Sequence, residues 1–184
     1  MGRGGRVSAG DDVARAVEAF LDRQEGFLRV IGRSDRAFDV LVPSYWKESV
    51  ALSISVGDRA LRAEAFFMRS PEENHDRVYR LLLQRNERAY LWKFVVNEAG
   101  DASLVAEVPL AAVDDDCLDR LFGTFVTLVD ETYVPYMERG YAGALAEQVR
   151  AGGPGLDQPP PWAKEWEASA GRPSDQRGGS STPD

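Results

Sequence analysis

Residues 50–65 read Val50-Ala51-Leu52-Ser53-Ile54-Ser55-Val56-Gly57-Asp58-Arg59-Ala60-Leu61-Arg62-Ala63-Glu64-Ala65. Branched and apolar side chains take every second position of the first half, and small or polar ones fill the gaps. A strand has a side-chain period of two, so this alternation turns one face to a core and the other to solvent. Gly57-Asp58 reads as a two-residue hairpin loop with glycine first. Such a loop sets Ile54 opposite Leu61, Leu52 opposite Ala63 and Val50 opposite Ala65, keeping the apolar faces together. A three-residue loop would set Val56 against Ala60 and mix the faces. Arg62 and Glu64 point the other way, toward solvent or a partner.

The same reading extends in both directions. Upstream, Phe38, Val40 and Val42 alternate with Ala37, Asp39 and Leu41, and Pro43 should end that strand. Phe27 to Ile31 is a short candidate strand before the turn Gly32–Asp35. Before it, Asp11 and Asp12 start a helix whose face is Val13, Val17, Phe20 and Leu21, ending near Gly26. Downstream, Ser70-Pro71-Glu72-Glu73 has the form of a helix start, with Ser70 as cap, Pro71 in the first turn and Glu73 reaching back to the cap amide. His75, Val78, Tyr79, Leu82 and Asn86 then repeat at helical spacing, widened by Leu81 and Leu83. A second hairpin follows, Trp92, Phe94 and Val96 against Leu104, Ala106 and Val108, with Gly100 in its loop and Pro109 at its end. The last long helix starts near Asp114, buries Leu118, Leu121, Phe122, Phe125 and Val129, and should kink or end at Pro135.

This order predicts an α+β fold, an antiparallel sheet of about five strands with helices packed on one face. Residues 1–10 read as a flexible arm, 11–150 as the domain, and 151–184 as a mostly disordered tail rich in Gly, Pro and Ser. Within that tail, Trp162 and Trp166 stand four apart.

Composition narrows the function. The net charge is −8 and the pI about 4.8, so nucleic acid is a poor partner. The arginines between Arg77 and Arg88 are diluted by acids and read as a solvated helix face. Cys117 is the single cysteine; no internal disulfide is possible, which fits a reducing cytoplasm. Its carboxylate neighbours, Asp114 to Asp116 and Asp119, disfavour a thiolate. No apolar run is long enough to span a membrane, and residues 1–10 lack a signal peptide's apolar core. Arginine far outnumbers lysine (Lys47, Lys93 and Lys164 are the only lysines), a hint of a GC-rich bacterial genome.

The run Glu64-Ala65-Phe66-Phe67-Met68-Arg69-Ser70-Pro71-Glu72-Glu73-Asn74-His75, continuing through Val78-Tyr79-Arg80-Leu81-Leu82 to Arg85-Asn86, resembles the central motif of YbjN-domain proteins. Pro109 to Val113 with Leu118 to Leu121, and the segment around Met137, Gly140, Tyr141 and Ala142, are similar to that family's close. The resemblance covers residues 25–145. It implies a fold like that of type III secretion chaperones, and a family labelled as regulators of sensory transduction, which names no reaction. Chaperones of this fold bind extended client segments and are usually dimers; that activity belongs to the fold and does not transfer residue by residue.

No catalytic set emerges. His75, the one histidine, falls in the first turn of a helix and has only carboxylates nearby. Glu72, Glu73 and Asp76, and likewise Asp114 to Asp116, suit helix starts better than a metal. No phosphate loop and no nucleophile elbow are present. No cofactor is expected. The candidate partner-binding residues are Tyr45, Trp46, Phe66, Met68, Trp162 and Trp166. Phe66 and Met68 occupy the strand face opposite Leu61, Ala63, Ala65 and Phe67, so they are either an exposed contact patch or covered by another element. The tryptophans either dock on the domain or engage a partner. The expectation is a non-enzymatic protein-binding or adaptor domain, with a homodimer possible and no membrane or nucleic-acid partner. A small-molecule-sensing regulatory domain is the alternative.

Overall fold

Why six strands and one helical layer follow from this sequence is visible in where each apolar stripe lies. The computed structural model describes residues 8–164. Helix α1 spans Ala9–Arg23, strands β1 to β4 span Arg29–Arg33, Ala37–Ser44, Glu48–Val56 and Ala60–Met68, and helix α2 spans His75–Arg88. Strands β5 (Trp92–Val96) and β6 (Ala102–Pro109), a short 3-10 turn (Leu110–Ala112), and helices α3 (Asp115–Gly140) and α4 (Ala142–Arg150) complete the order. The strands form a single antiparallel sheet, β1-β2-β3-β4-β6-β5. The weak candidate around Phe27–Ile31 supplies the edge strand β1, which brings the sheet to six strands.

The inner sheet face and the helices share one core. Leu52, Ile54, Leu61, Ala63, Leu104 and Ala106 from the sheet pack with Val17 and Leu21 of α1, Val78 and Leu82 of α2, and Leu118, Leu121 and Phe125 of α3. Trp92 is fully buried, packs with its ring tilted 46° against Phe125 at 4.9 Å and donates its indole N–H to the Leu121 carbonyl at 2.8 Å. Buried tryptophan needs such an acceptor, and the bond ties β5 to α3.

The central hairpin keeps its faces but not the expected pairing. Ile54 lies opposite Ala63 and Val56 opposite Leu61. The Gly57 N–H donates to the Ala60 carbonyl at 2.9 Å, so Asp58-Arg59 is the loop. A shift of two residues preserves every inward and outward side chain, so face-matching could not detect it. Pro43 does not end β2. It pairs with Ser49 beyond the last β1 contact at Leu41, where β2 has no neighbour asking for its missing N–H.

Three helix boundaries differ from expectation for identifiable reasons. Ser8 caps α1 in a reciprocal capping box with Asp11, so residues 8–10 belong to the helix rather than to an arm. Ser70 does not cap α2; that helix starts at His75 after Asn74, which sits at φ 53° with no side-chain cap bond. Helix α3 runs through Pro135 to Gly140. Proline has no N–H to offer the Glu131 carbonyl one turn back. Arg85 of α2 fills the gap: its Nη2 donates to the Glu131 carbonyl at 2.9 Å.

The two outer strands end the sheet differently. On the β5 side, Asn86 of α2 acts as a substitute strand, its Oδ1 accepting from the Phe94 N–H at 2.7 Å and its Nδ2 donating to the Phe94 carbonyl at 3.0 Å. On the other side, β1 is short and bulged between Val30 and Gly32, with Ile31 exposed.

Candidate functional site

The family-like motif folds into a clasp rather than a reactive site. After β4 the chain turns sharply, and α3 holds that turn. The Tyr136 hydroxyl donates to the Arg69 carbonyl at 2.7 Å, and the Tyr141 hydroxyl to the Ser70 carbonyl at 2.7 Å. The Glu72 and Glu73 N–H groups both donate to the Gly140 carbonyl, at 2.9 and 3.1 Å. The Glu73 carboxylate accepts from the Gly143 N–H at 2.7 Å, and Asn74 Nδ2 donates to the Arg139 carbonyl at 3.0 Å. Pro71 packs so close that a Cβ on Gly140 would lie 2.7 Å from its Cβ. Burial pushes the Tyr136 phenol well above the usual tyrosine range, helped by the nearby Tyr141, Tyr79 and Asp101. His75 is exposed, with its ring 6.1 Å from that of Tyr79. Among the described residues, no three His, Cys, Asp or Glu side chains gather as a metal-holding set. Cys117 is half-buried, and burial and Asp114 raise its thiol pKa.

Three of the sequence-selected aromatics meet at one corner. The β2–β3 loop, residues 45–47, is held by Asp130 of α3, whose carboxylate accepts from the Ser44 hydroxyl at 2.7 Å, the Tyr45 N–H at 3.1 Å and the Trp46 N–H at 3.4 Å. Trp46 stacks on Tyr133 of α3 with ring centroids 6.0 Å apart, and Tyr45 meets Trp46 edge-on at 5.0 Å. Trp162 arrives from the C-terminal side and donates its indole N–H to the Tyr45 carbonyl at 2.6 Å. Ala163 beside it is 5% exposed. Within the stretch read as mostly disordered, the Trp162 segment set apart in the sequence docks on the domain. The physical basis is this pairing of indole donor and loop carbonyl. Trp166 lies outside the described residues.

Lys47 follows in the same loop. Its ammonium donates to the Phe67 carbonyl, lies 3.6 Å from the Met68 sulfur and sits 5.5 Å from the centre of the Phe67 ring. Burial holds its pKa below the usual lysine value. No signal of periodicity or motif singled this lysine out.

Phe66 and Met68 do not share a surface. Phe66 stands 51% exposed on the outer sheet face. The ladder slips by one residue between Phe66 and Met68, which sets Met68 opposite buried Ala102 and packs it on the core. Among the described residues, no helix packs on the outer face. Along it Leu41 pairs with Ala51, and Ser103 pairs with both Phe66 and Val95. Val95 is 42% exposed.

Comparison with known proteins places these features. The sequence profile of YbjN, described as "Putative bacterial sensory transduction regulator", matches residues 14–136. The chain belongs to the YbjN family. Within it, this YbjN chain is 35% identical over 117 residues to the uncharacterized protein Rv0487 of Mycobacterium tuberculosis, and equally to Mb0497 of Mycobacterium bovis. The match covers 64% of this chain and 64% of each relative's own length. Mycobacterium leprae ML2442 is 35% identical over 95 residues, 52% of each chain. Among solved structures, the heterodimeric ExoU–SpcU complex from the type III secretion system of Pseudomonas aeruginosa contains a chain similar over 60% of this one and 89% of its own, with TM-score 0.47 and 22% identity. One side of the clasp, residues 69–74 with Tyr136, lies inside the YbjN match, whereas Arg139 to Gly143 and the tail carrying Trp162 lie beyond it.

Proposed function

We propose that this YbjN chain is a non-enzymatic adaptor that presents the open face of its sheet, centred on Phe66, to a protein partner. The observation that carries the reading is a large aromatic side chain, half exposed, on a central strand of a face that no helix among the described residues covers. Single exposed hydrophobics are ordinary, but Phe66 has company. The ladder aligns it with Ser103 and Val95, and the same face holds Leu41 and Ala51. Around this row run Asp39, Ser53, the Arg62–Glu64 ion pair and Lys93, an apolar centre with a polar rim of the kind that protein contacts use. The partner's identity is open, a second copy of the chain is one candidate, and a cytoplasmic setting goes with the reading. No helix among the described residues is long and apolar enough to cross a membrane.

The sensing alternative asks for a pocket closed around convergent polar groups. The grooves along β1, of about 510 Å³, and between α2 and α3, of about 350 Å³, are both open to solvent, and neither favours it.

A photo-crosslinking phenylalanine analogue at position 66, introduced in the native host, tests the proposal. A discrete adduct at position 66, absent when the analogue replaces exposed Gln84 on α2, is expected. Equal labelling at the two positions would refute the sheet face as the contact.

A further inference from the structure

The corner at Tyr45 is a receptor and a ligand joined by a tether. The ligand is the turn Pro160-Pro161-Trp162-Ala163, closed by its own bond from the Ala163 N–H to the Pro160 carbonyl at 2.9 Å. Pro161 at the second position of that turn presets its backbone angle, so the turn arrives formed. The receptor is held from α3. Asp130 holds residues 44–46 through three hydrogen bonds from α3, and Tyr133 supports Trp46.

The tether is loose. Residues 151–159 include Gly152, Gly153 and Gly155, and their bonds to α4, such as Gln148 Nε2 to the Pro154 carbonyl at 2.7 Å, are exposed. Helix α4 itself buries no residue. Fully extended, this stretch reaches about 30 Å, enough to pass to a neighbouring molecule. We propose that the corner is an exchange site: the Pro160–Ala163 turn of one chain leaves its own Tyr45 and seats on the Tyr45 carbonyl of a second copy. The second copy is the occupant because it carries this turn and this corner, so exchange replaces every contact by its equivalent. The tether gives the intramolecular arrangement an effective concentration on the order of millimolar. Exchange in the unmodified protein is therefore confined to crowded or locally concentrated chains.

Two full-length variants remove that competition. Trp162→Ala keeps the receptor and loses the ligand; Asp130→Ala keeps the ligand and loses the receptor. The Trp162 indole N–H resonance, assigned by its absence in Trp162→Ala, is followed in labelled Asp130→Ala. It should leave its docked position in that variant. It should return to it as unlabelled Trp162→Ala is added up to about 1 mM, the range set by the tether's effective concentration. A resonance that recovers less than about a tenth of the displacement overturns the proposal, as does one that never moves on loss of Asp130. Tyr133→Ala provides a second receptor-deficient chain if Asp130→Ala lowers the melting temperature of the whole domain. The site is separate from the sheet face: Phe66→Glu should leave the recovery intact, so the two proposals fail independently.

Discussion

Replacing Arg85 by alanine tests whether α2 supplies what Pro135 denies α3. The Glu131 carbonyl lacks the amide that any other residue at 135 would provide, and Arg85 Nη2 donates to it at 2.9 Å. A hydrogen bond from a charged donor is worth about 1.5–3 kcal/mol. The Arg85 side chain is 32% exposed, which favours the lower end, about 1.5 kcal/mol. Its second contact, Nη1 to the Glu131 carboxylate at 3.4 Å, involves a carboxylate side chain 59% exposed and adds about 0.5 kcal/mol. Arg85→Ala should then cost about 2 kcal/mol, or roughly 1 M in the urea midpoint for a slope near 2 kcal/mol/M. In a Pro135→Ala background the new amide can bond Glu131, and the same substitution should cost only about 0.5 kcal/mol. Loss of the arginine stem, and of its buried unpartnered Nε, enters both arms and cancels. The readout is a double-mutant cycle by urea unfolding, followed through circular dichroism. A coupling near 1.5 kcal/mol is expected; equal costs in the two backgrounds, within about 0.3 kcal/mol, would refute the compensation.

Other consequences follow from the clasp and the edge. Gly140→Ala places a methyl 2.7 Å from Pro71 Cβ and 3.3 Å from Val78 Cγ2; it should destabilise by about 1–3 kcal/mol in thermal or urea melts, and an unchanged midpoint would contradict the tight approach. Asn86→Leu removes both bonds to Phe94 and leaves its backbone groups unpaired, costing about 2–4 kcal/mol, with accelerated amide exchange at Phe94 as the local signature. Tyr136 has its ionisation raised above the ordinary value of 10.0 by burial. The folded chain holds this proton at pH values where the unfolded chain releases it, so stability is full below pH 10 and falls as pH rises beyond it. Tyr136→Phe should lose about 1 kcal/mol at pH 7 for its bond to Arg69 and show a flatter decline above pH 10; an unchanged slope would count against the burial argument.

Much of the architecture was legible because period and parity are local properties. Val50 to Val56 fixes an inner and an outer face in seven residues, and the stripes of α1 and α3 fix which side each helix buries. What was not legible depends on partners distant in the chain. The hairpin register differs by two residues, a change invisible to parity. Ser70-Pro71-Glu72-Glu73 has the composition of a cap, yet Glu73 bonds Gly143 and Ser70 bonds Asp101, contacts 70 and 31 residues away. Met68 reads as an outward residue until the bulge turns it. At the aromatic corner, the residue types at Tyr45, Trp46 and Trp162 were enough to nominate it. Only the fold could join them, because Asp130 and Tyr133, which organise the loop, sit in a helix whose sequence gives no sign of it.

The unlike ends of the sheet set how far it can grow. Asn86 already occupies the hydrogen-bonding groups at the centre of β5, so a strand approaching from that side finds its place taken. Among the described residues, strand β1 is guarded only by its shortness and its bulge. With one end closed at β5, two copies joined through β1 would pair edge to edge, leaving no open strand for a third among the described residues. Edge pairing among the described strands would then stop at a dimer.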